Sequence, residues 1–210
     1  MNKYYEHNGI TFYNSDCLPA MKEMPDNAFD LAIVDPPYGI GMAVWDKKPP
    51  PEYFTELFRI TENQIIWGAN YFVLPDSEAW ICWHKTAGFK KRALEGASDF
   101  ELAWTSFDTK ARLFPYTCSG NIAGLNGGRP DYSYKPIHPT QKPVALYKWL
   151  LTNYAKPGQT ILDTHLGSGS IAIACDVFGF NLTAFEIDKE YIEGATDRLK
   201  RHSTQGVLAL

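Results

Sequence analysis

The chain has 210 residues, of which 45% are hydrophobic and 21% are charged, so we expect one packed domain over residues 1–210 rather than a disordered chain. The net charge of −4 excludes a protein that is basic overall. No apolar run approaches the roughly 20 residues of a membrane span, and residues 1–10 lack the apolar segment of a signal peptide. The four cysteines form no C-x-x-C pair and the histidines show no metal-ligand spacing, so we expect a cytoplasmic protein without a metal site.

Short apolar runs that end at turn residues predict an alternation of strands and helices. In chain order, they are strand 10–13, helix 18–24, strand 29–34, helix 51–61, strands 64–67, 79–83 and 101–107, helix 143–154, strand 160–162, helix 171–178, strand 182–185 and helix 189–200. Residues 117–139 are rich in Gly, Pro, Ser and Asn, which predicts a long loop. The alternation predicts an α/β domain with a largely parallel sheet.

The C-terminal third has a pattern typical of nucleotide-binding units. The strand that ends near Asp163 is followed by Gly167-x-Gly169, a helix, and a second strand that ends at Glu186. Glycines let the backbone approach a ligand at a helix N-terminus, and an acid after the next strand can accept hydrogen bonds from ribose hydroxyls. The pattern predicts a cofactor that contains adenosine. Because Gly167-x-Gly169-x-x-Ala172 also suits NAD, an NAD-dependent oxidoreductase is one alternative.

The tetrapeptide Asp35-Pro36-Pro37-Tyr38 directly follows the buried strand 29–34, so it lies at the carboxyl edge of the predicted sheet, where α/β proteins bind ligands. A carboxylate oxygen of Asp35 and the carbonyl of Pro36 can accept hydrogen bonds from the two hydrogens of an exocyclic amine. The prolines fix φ and hold these acceptors rigidly. Tyr38 offers a ring on which a base can stack. The tetrapeptide therefore predicts chemistry on an amino group.

This sequence resembles the DNA amino-methyltransferases, which act on adenine N6 or cytosine N4. Residues 35–38 match that family's D/N/S-P-P-Y/F/W signature, in which Asp favours adenine. Residues 16–18 resemble its D-C-L segment, residues 138–143 the segment that precedes the glycines, and residues 162–170 its D-P-F-x-G-S-G-T motif. Glu186 matches the ribose-binding acid. The matches run over nearly the whole chain, from about residue 10 to residue 200.

The resemblance implies a Rossmann-like methyltransferase fold with a mostly parallel seven-stranded sheet and helices on both faces. It implies S-adenosyl-L-methionine as the cofactor. The implied catalytic residues are Asp35, Pro36, Pro37 and Tyr38, and the implied cofactor-binding residues are Asp16, Cys17, Asp35, Thr140, Lys142, Asp163, His165, Gly167, Ser168, Gly169, Glu186 and Ile187. Amino methylation needs no covalent intermediate, so Cys17 and Cys118 are not predicted to be nucleophiles.

The catalytic segment precedes the cofactor glycines, a circularly permuted order that resembles the β group of the family. That group consists largely of bacterial or phage enzymes, some with restriction partners, and often of dimers, so a homodimer is an open alternative. The span from residue 84 to residue 135 falls where the family has its target-recognition region. The span is basic, although ordinary variation in surface charge explains that equally well. The predicted contacts to double-stranded DNA are Trp45, Lys85, Lys90, Lys91, Arg92, Arg112, Arg129 and Lys135.

Two departures from the family pattern leave questions open. Thr164-His165 replaces the usual Pro-Phe, and His165 is either structural or a hydrogen-bond partner of the cofactor or Asp35. The recognition span is short, which limits how long a target a monomer can read. Methylation of cytosine N4, of RNA or of a protein glutamine are alternative activities, and a silent cofactor-binding protein is another. The family expectation is methylation of adenine N6 in DNA, with the target base flipped out of the duplex.

Overall fold

The structure, a computed structural model, describes residues 2–41, 45–86, 98–119, 122–125, 137 and 140–207. Its ten strands are β1 (Tyr5–His7), β2 (Ile10–Asn14), β3 (Phe29–Val34), β4 (Thr61–Trp67), β5 (Trp80–His84), β6 (Phe100–Thr105), β7 (Arg112–Ser119), β8 (Ile122–Leu125), β9 (Thr160–Asp163) and β10 (Asn181–Glu186). Its five α-helices are α1 (Cys17–Lys22), α2 (Pro51–Ile60), α3 (Val144–Tyr154), α4 (Ser170–Phe178) and α5 (Lys189–Val207). Each predicted element is present, with small differences at its ends.

The strands lie in the order β1-β2-β10-β9-β3-β4-β6-β5-β7-β8. Strands β2, β10, β9, β3 and β4 are parallel neighbours, and β6 runs antiparallel to both β4 and β5. The predicted α/β fold with a mostly parallel sheet is confirmed. Seven strands, in the order β2-β10-β9-β3-β4-β6-β5, form the centre of the sheet.

Two sequence predictions about strands were wrong. The sheet has three edge strands beyond the seven predicted, namely β1, β7 and β8. The predicted loop over residues 117–139 instead begins with the end of β7 and contains β8, which pair antiparallel. Strand β1 is only three residues long and joins β2 through Asn8 and Gly9, both of which have positive φ as a tight hairpin requires. Strands of three or four residues such as β1 and β8 are too short to show a hydrophobic period, and a proline interrupts the pattern of β7.

Helices cover both faces of the sheet because side chains alternate along the buried strands. On β3, Leu31 and Ile33 pack in the core with α3, α4 and α5, whereas Ala32 and Val34 pack in the core with α1 and α2. Because both faces of β3 are buried, its continuous apolar run contributes side chains to two hydrophobic cores. Among the described residues, no helix has both the length and the hydropathy that crossing a membrane requires.

The parallel strands bring the ends of four segments to one edge of the sheet. Strands β3, β4, β9 and β10 all end there, and the chain leaves them at Asp35, Gly68, Thr164 and Ile187 respectively. The tetrapeptide and the glycine motif, which lie more than a hundred residues apart in the sequence, therefore face a common site.

Candidate active site

Three carboxylates gather at this edge: Asp35 after β3, Asp163 at the end of β9 and Glu186 at the end of β10. Burial, helped by the charges of Asp35 and Glu186, raises the pKa of Asp163 to about 8, although the hydrogen bond from the backbone N–H of His165 opposes the shift. Burial also raises the pKa of Glu186. Raised pKa values show that these buried acids lack enough counter-charge, and a ligand that carries positive charge would favour their ionised forms.

The turn that contains Gly167 and Gly169, which we call the glycine turn, is hydrogen-bonded to the carboxylate of Glu186. Oε2 of Glu186 accepts a 2.8 Å hydrogen bond from the backbone N–H of Gly167, and Oε1 accepts one of 2.9 Å from that of Asp188. Gly169 begins α4 with φ of +71°, and a Cβ there would lie 2.9 Å from the Cβ of Ala195. The turn therefore requires glycine at 169 for its backbone conformation and its close contact with α5.

Asp35 and Tyr38 form a hydrogen-bonded pair. The hydroxyl of Tyr38 donates to Oδ1 of Asp35 at 2.7 Å. Burial and the charge of Asp35 raise the pKa of Tyr38 well above its usual range, so the hydroxyl keeps the proton that it donates. The loop that follows is closed by Asp46, whose two oxygens accept hydrogen bonds from the backbone N–H groups of Gly39 and Ile40.

The ring of Tyr38 packs against the segment that directly follows strand β4. It stacks on Tyr71 with centroids 4.9 Å apart and an interplanar angle of 14°. The ring also lies against Gly68, where an added Cβ would be only 2.0 Å from the nearest ring atom. Gly68 has φ of +66° and starts the 3₁₀ turn Ala69–Tyr71. Neither Gly68 nor Tyr71 was predicted as a site residue.

Lys142 is buried, with 2% of its side chain exposed, and its ammonium group contacts two carboxylates. It donates to Oδ2 of Asp35 and lies 3.2 Å from Oε2 of Glu101. Burial alone would lower the pKa of Lys142, but the charges of Asp35 and Glu101 outweigh burial and raise it. The ammonium also lies 5.4 Å from the centroid of the Trp67 ring. The lysine predicted to bind the cofactor is thus a direct partner of the predicted catalytic acid.

Glu101 was missed by the sequence analysis, and a second lysine pairs with it. Nζ of Lys85 donates to Oε1 of Glu101 at 2.9 Å. Burial alone would raise the pKa of Glu101, but the ammonium groups of Lys142 and Lys85 hold it below its usual range. Lys85 was predicted to contact DNA, and that contact stays a prediction. In the structure its ammonium group is paired with Glu101.

The histidine that departs from the family pattern lies beside the site. Burial lowers the pKa of His165 to about 4, so its imidazole is neutral at neutral pH. Its Nδ1 is 2.9 Å from Oγ1 of Thr164, which is 2.6 Å from the hydroxyl of the buried Tyr53. The ring packs edge-on to Tyr53 with centroids 5.6 Å apart. These contacts favour the structural interpretation of His165.

The remaining predicted residues are placed as follows. Asp16 caps α1 by accepting from the backbone N–H of Leu18 at 2.9 Å, and burial raises the pKa of Cys17 to about 12. Ser168 is buried, and its carbonyl accepts from Arg198 at 2.8 Å. Ile187 is 67% exposed at the end of β10.

Besides Lys85, two predicted DNA contacts can be described. Trp45 packs edge-on to Tyr191 on α5, with centroids 6.4 Å apart, and Arg112, exposed at the start of β7, lies over the Trp149 ring. Lys90, Lys91, Arg92, Arg129 and Lys135 lie outside the described residues. Within the described part of the chain, no group of three or more His, Cys, Asp or Glu side chains is arranged to hold a metal ion.

Comparisons with known proteins find similarity to DNA methyltransferases. A family model described as DNA methylase matches residues 120–197. The type II methyltransferase M.HpaI of Haemophilus parainfluenzae is 27% identical over 228 residues, which cover 88% of this chain and 72% of that protein.

Solved structures agree on the fold. The crystal structure of an M1.HpyAVI–SAM complex matches with a TM-score of 0.61 at 24% identity, covering 90% of this chain and 100% of that one. The PvuII DNA methyltransferase, described as cytosine-N4-specific, matches with a TM-score of 0.58 at 14% identity, covering 90% and 86%. The fold is that of the methyltransferases. By its tetrapeptide, its glycine turn and these matches, the chain is similar to the DNA amino-methyltransferases.

Proposed function

We propose that this DNA methyltransferase transfers a methyl group from S-adenosyl-L-methionine to the N6 amino group of adenine in double-stranded DNA. The observation that carries the proposal is the position of Asp35. Its carboxylate lies at the carboxyl edge of the sheet, near the carboxylates of the cofactor turn, and is held by Tyr38 and Lys142. An acid fixed between an aromatic ring and a cofactor site is suited to orient an amino group.

S-adenosyl-L-methionine fits the charge of the site. It carries a positive sulfonium, and the site gathers three carboxylates of which Asp163 is almost completely buried. When bound, it supplies an activated methyl group. We assign its ribose to Glu186, its adenine to the region of Asp16 and Cys17, and its methionine part to the surroundings of Asp35, the glycine turn and residues 140–142.

Asp35 and Pro36 would orient the target nitrogen. The lone pair of an exocyclic amine is delocalised into the base ring, which makes the nitrogen a poor nucleophile. Hydrogen bonds from its two hydrogens to the Asp35 carboxylate and the Pro36 carbonyl favour a more tetrahedral nitrogen with a directed lone pair. Both acceptors are fixed in advance, so catalysis consists mainly of positioning and electrostatic stabilisation.

The target base would enter a slot beside Pro37 and Tyr38. A base in a duplex is not accessible to such a site, so it must be flipped out at a cost of roughly a few kcal/mol. The stacking of Tyr38 on Tyr71 holds an aromatic surface in place for it. Cytosine N4 presents the same two amino hydrogens, so cytosine methylation is the second candidate activity.

The basic residues of the span from 84 to 135 would contact phosphates. Of the described ones, Arg112 is exposed on β7, with its guanidinium stacked on Trp149 and bonded to Asn153 at 3.0 Å. Phosphate contacts release counterions, so binding to DNA should weaken steeply as salt is raised.

The proposal is tested by identifying the methylated nucleoside. The protein is incubated with labelled S-adenosyl-L-methionine and unmethylated DNA, which is then digested to nucleosides and separated. We expect the label in N6-methyldeoxyadenosine. Label in N4-methyldeoxycytidine would replace adenine by cytosine as the target, and transfer to RNA or protein without transfer to DNA would overturn the proposal.

A further inference from the structure

Four side chains of alternating charge form a continuous chain of ion pairs that ends on the catalytic acid. We call them the charge ladder: Lys85, Glu101, Lys142 and Asp35. Lys85 contacts Oε1 of Glu101 at 2.9 Å, Lys142 lies 3.2 Å from Oε2 of the same carboxylate, and Lys142 also donates to Asp35. The carboxylate of Glu101 thus bridges two ammonium groups.

The charge ladder is assembled from separate segments of the fold. Asp35 follows β3, Lys85 follows β5, Glu101 lies on β6, and Lys142 precedes α3. Because β6 runs antiparallel to β4 and β5, the start of β6 reaches the carboxyl edge where the other strands end. The antiparallel direction of β6 therefore places Glu101, near the start of that strand, at the carboxyl edge of the sheet.

The burial of these groups makes the ladder unlike a surface ion pair. The side chains of Lys85, Glu101, Lys142 and Asp35 are 16%, 24%, 2% and 19% exposed, respectively. Exposed ion pairs contribute little to folding stability. A buried charge that loses its partner destabilises the protein, so the group moves or changes its protonation state. Each member therefore constrains the charge and position of its neighbours.

The lysine at the centre of the ladder is also fixed through its backbone. Its carbonyl accepts a 2.7 Å hydrogen bond from the hydroxyl of Ser170, the first residue of α4. Ser170 in turn accepts from Arg198 at 2.9 Å. With its backbone tied to the cofactor turn and its ammonium shared by two acids, Lys142 can hold Oδ2 of Asp35 while Oδ1 faces Tyr38.

We propose that Glu101, held by Lys85, is a positioning residue for methyl transfer that acts on Asp35 through Lys142. Glu101 shares the charge of the Lys142 ammonium, so Asp35 is oriented by that ammonium without being its only counter-ion. If Glu101 is neutral, Asp35 is the one charged acid that still contacts Lys142 among the residues that the structure describes. The carboxylate is then drawn toward the lysine and becomes a weaker acceptor for the amino group. The inference rests on the proposed role of Asp35 in methyl transfer.

The test compares Glu101→Gln with a matched control. Glu56→Gln makes the same change at a partly buried acid that pairs with Arg59 on α2, within the helix and away from the ladder. Methylation of unmethylated DNA is measured for both, with kcat expressed per S-adenosyl-L-methionine binding site from calorimetric titration. This correction removes any loss that comes from misfolded protein.

We expect Glu101→Gln to lower kcat about 10- to 100-fold, the scale of a small misplacement of a reacting group. KM for DNA and for the cofactor should stay within about twofold, because Glu101 need not touch either of them. Glu101→Asp keeps the charge and should recover part of the loss. Lys85→Met should lower kcat less, and the double variant should be no worse than Glu101→Gln alone, because both act along one chain of contacts.

Each outcome decides the inference. Wild-type kcat in Glu101→Gln, or an equal loss in Glu56→Gln, would overturn the positioning role while leaving the proposed function intact. If Glu101→Gln does not fold, Lys85→Met decides, and unchanged kcat in that variant would overturn the inference. A wild-type protein that methylates no DNA would overturn both this inference and the proposed function.

Discussion

Tyr38 donates its hydroxyl proton to Oδ1 of Asp35 at 2.7 Å, so the ring proposed to stack on the target base and the acid proposed to bind its amino group are joined. The bond orients the carboxylate from one side, and Lys142 holds its other oxygen. The position of Tyr38 depends in turn on Tyr71 and on the absence of a side chain at Gly68. The geometry of Asp35 is therefore set by residues from several segments of the fold.

The hydroxyl of Tyr38 can be removed without removing its ring. Tyr38→Phe keeps the stacking on Tyr71 but leaves Oδ1 of Asp35 without this donor. We expect kcat for DNA methylation to fall by about tenfold, as for the loss of a hydrogen bond of roughly 1–2 kcal/mol. Steady-state kinetics would measure it, and the stability of the variant should be close to that of the wild type. A kcat equal to that of the wild type would show that this hydrogen bond does not matter for transfer.

Gly68 tests whether the position of the Tyr38 ring matters. In Gly68→Ala, the new Cβ would overlap the ring at 2.0 Å, so Tyr38 must move. Gly158→Ala is the matched control, because Gly158 also has positive φ, at +87°, but a Cβ there meets nothing within 4 Å. Both variants should lose about 1–2 kcal/mol of unfolding free energy from backbone strain, and Gly68→Ala should lose more because the Tyr38 ring must also move.

Only the Gly68 variant should lose methyl transfer, by at least about tenfold on the scale of a misplaced reacting group. Denaturant unfolding and kinetics on the same preparations separate the two effects. Equal activity in the two variants would mean that Tyr38 can move without consequence.

His165 gives the stability of the protein a defined response to acid. Its pKa is about 4 in the folded protein and near 6.5 when unfolded, so between these values the unfolded state binds more protons. Stability should therefore fall as the pH is lowered from about 6.5 to 4. His165→Phe lacks this group, and its unfolding free energy should decline less over that window, by on the order of 1–3 kcal/mol.

Urea unfolding of both proteins at several pH values would measure this difference. Other groups that titrate in acid contribute equally to both proteins, so the comparison isolates the imidazole. Parallel curves would mean that His165 is not held in its neutral form by the fold.

The positions of Asp35 and Glu186 were predictable from the sequence. Each directly follows an apolar run, and the carboxyl ends of parallel strands meet at one edge of a sheet, so the two acids had to lie near each other. The apolar pattern of β3 also identified a strand buried on both faces, which the two cores confirm. The hydrophobic pattern and the parallel direction of the strands were therefore sufficient to predict where these two acids lie.

Glu101 was not predictable in the same way. Its place in the site depends on β6 running against its neighbours, and no local pattern in a single strand indicates its direction. The partners of Lys142 were also hidden, because the resemblance assigned that lysine to the cofactor, whereas its ammonium contacts two acids from distant segments. The contact of Gly68 with the ring of Tyr38 was hidden as well, because the two residues lie on separate segments of the chain.

The central claim is that the Asp35 carboxylate promotes methyl transfer to an amino group of DNA. The most direct measurement compares wild type and Asp35→Ala for single-turnover transfer from labelled S-adenosyl-L-methionine to unmethylated DNA, with folding checked by circular dichroism. The account predicts a folded variant that transfers no measurable methyl groups. Near-normal turnover in a folded Asp35→Ala protein would contradict it and remove Asp35 from the mechanism.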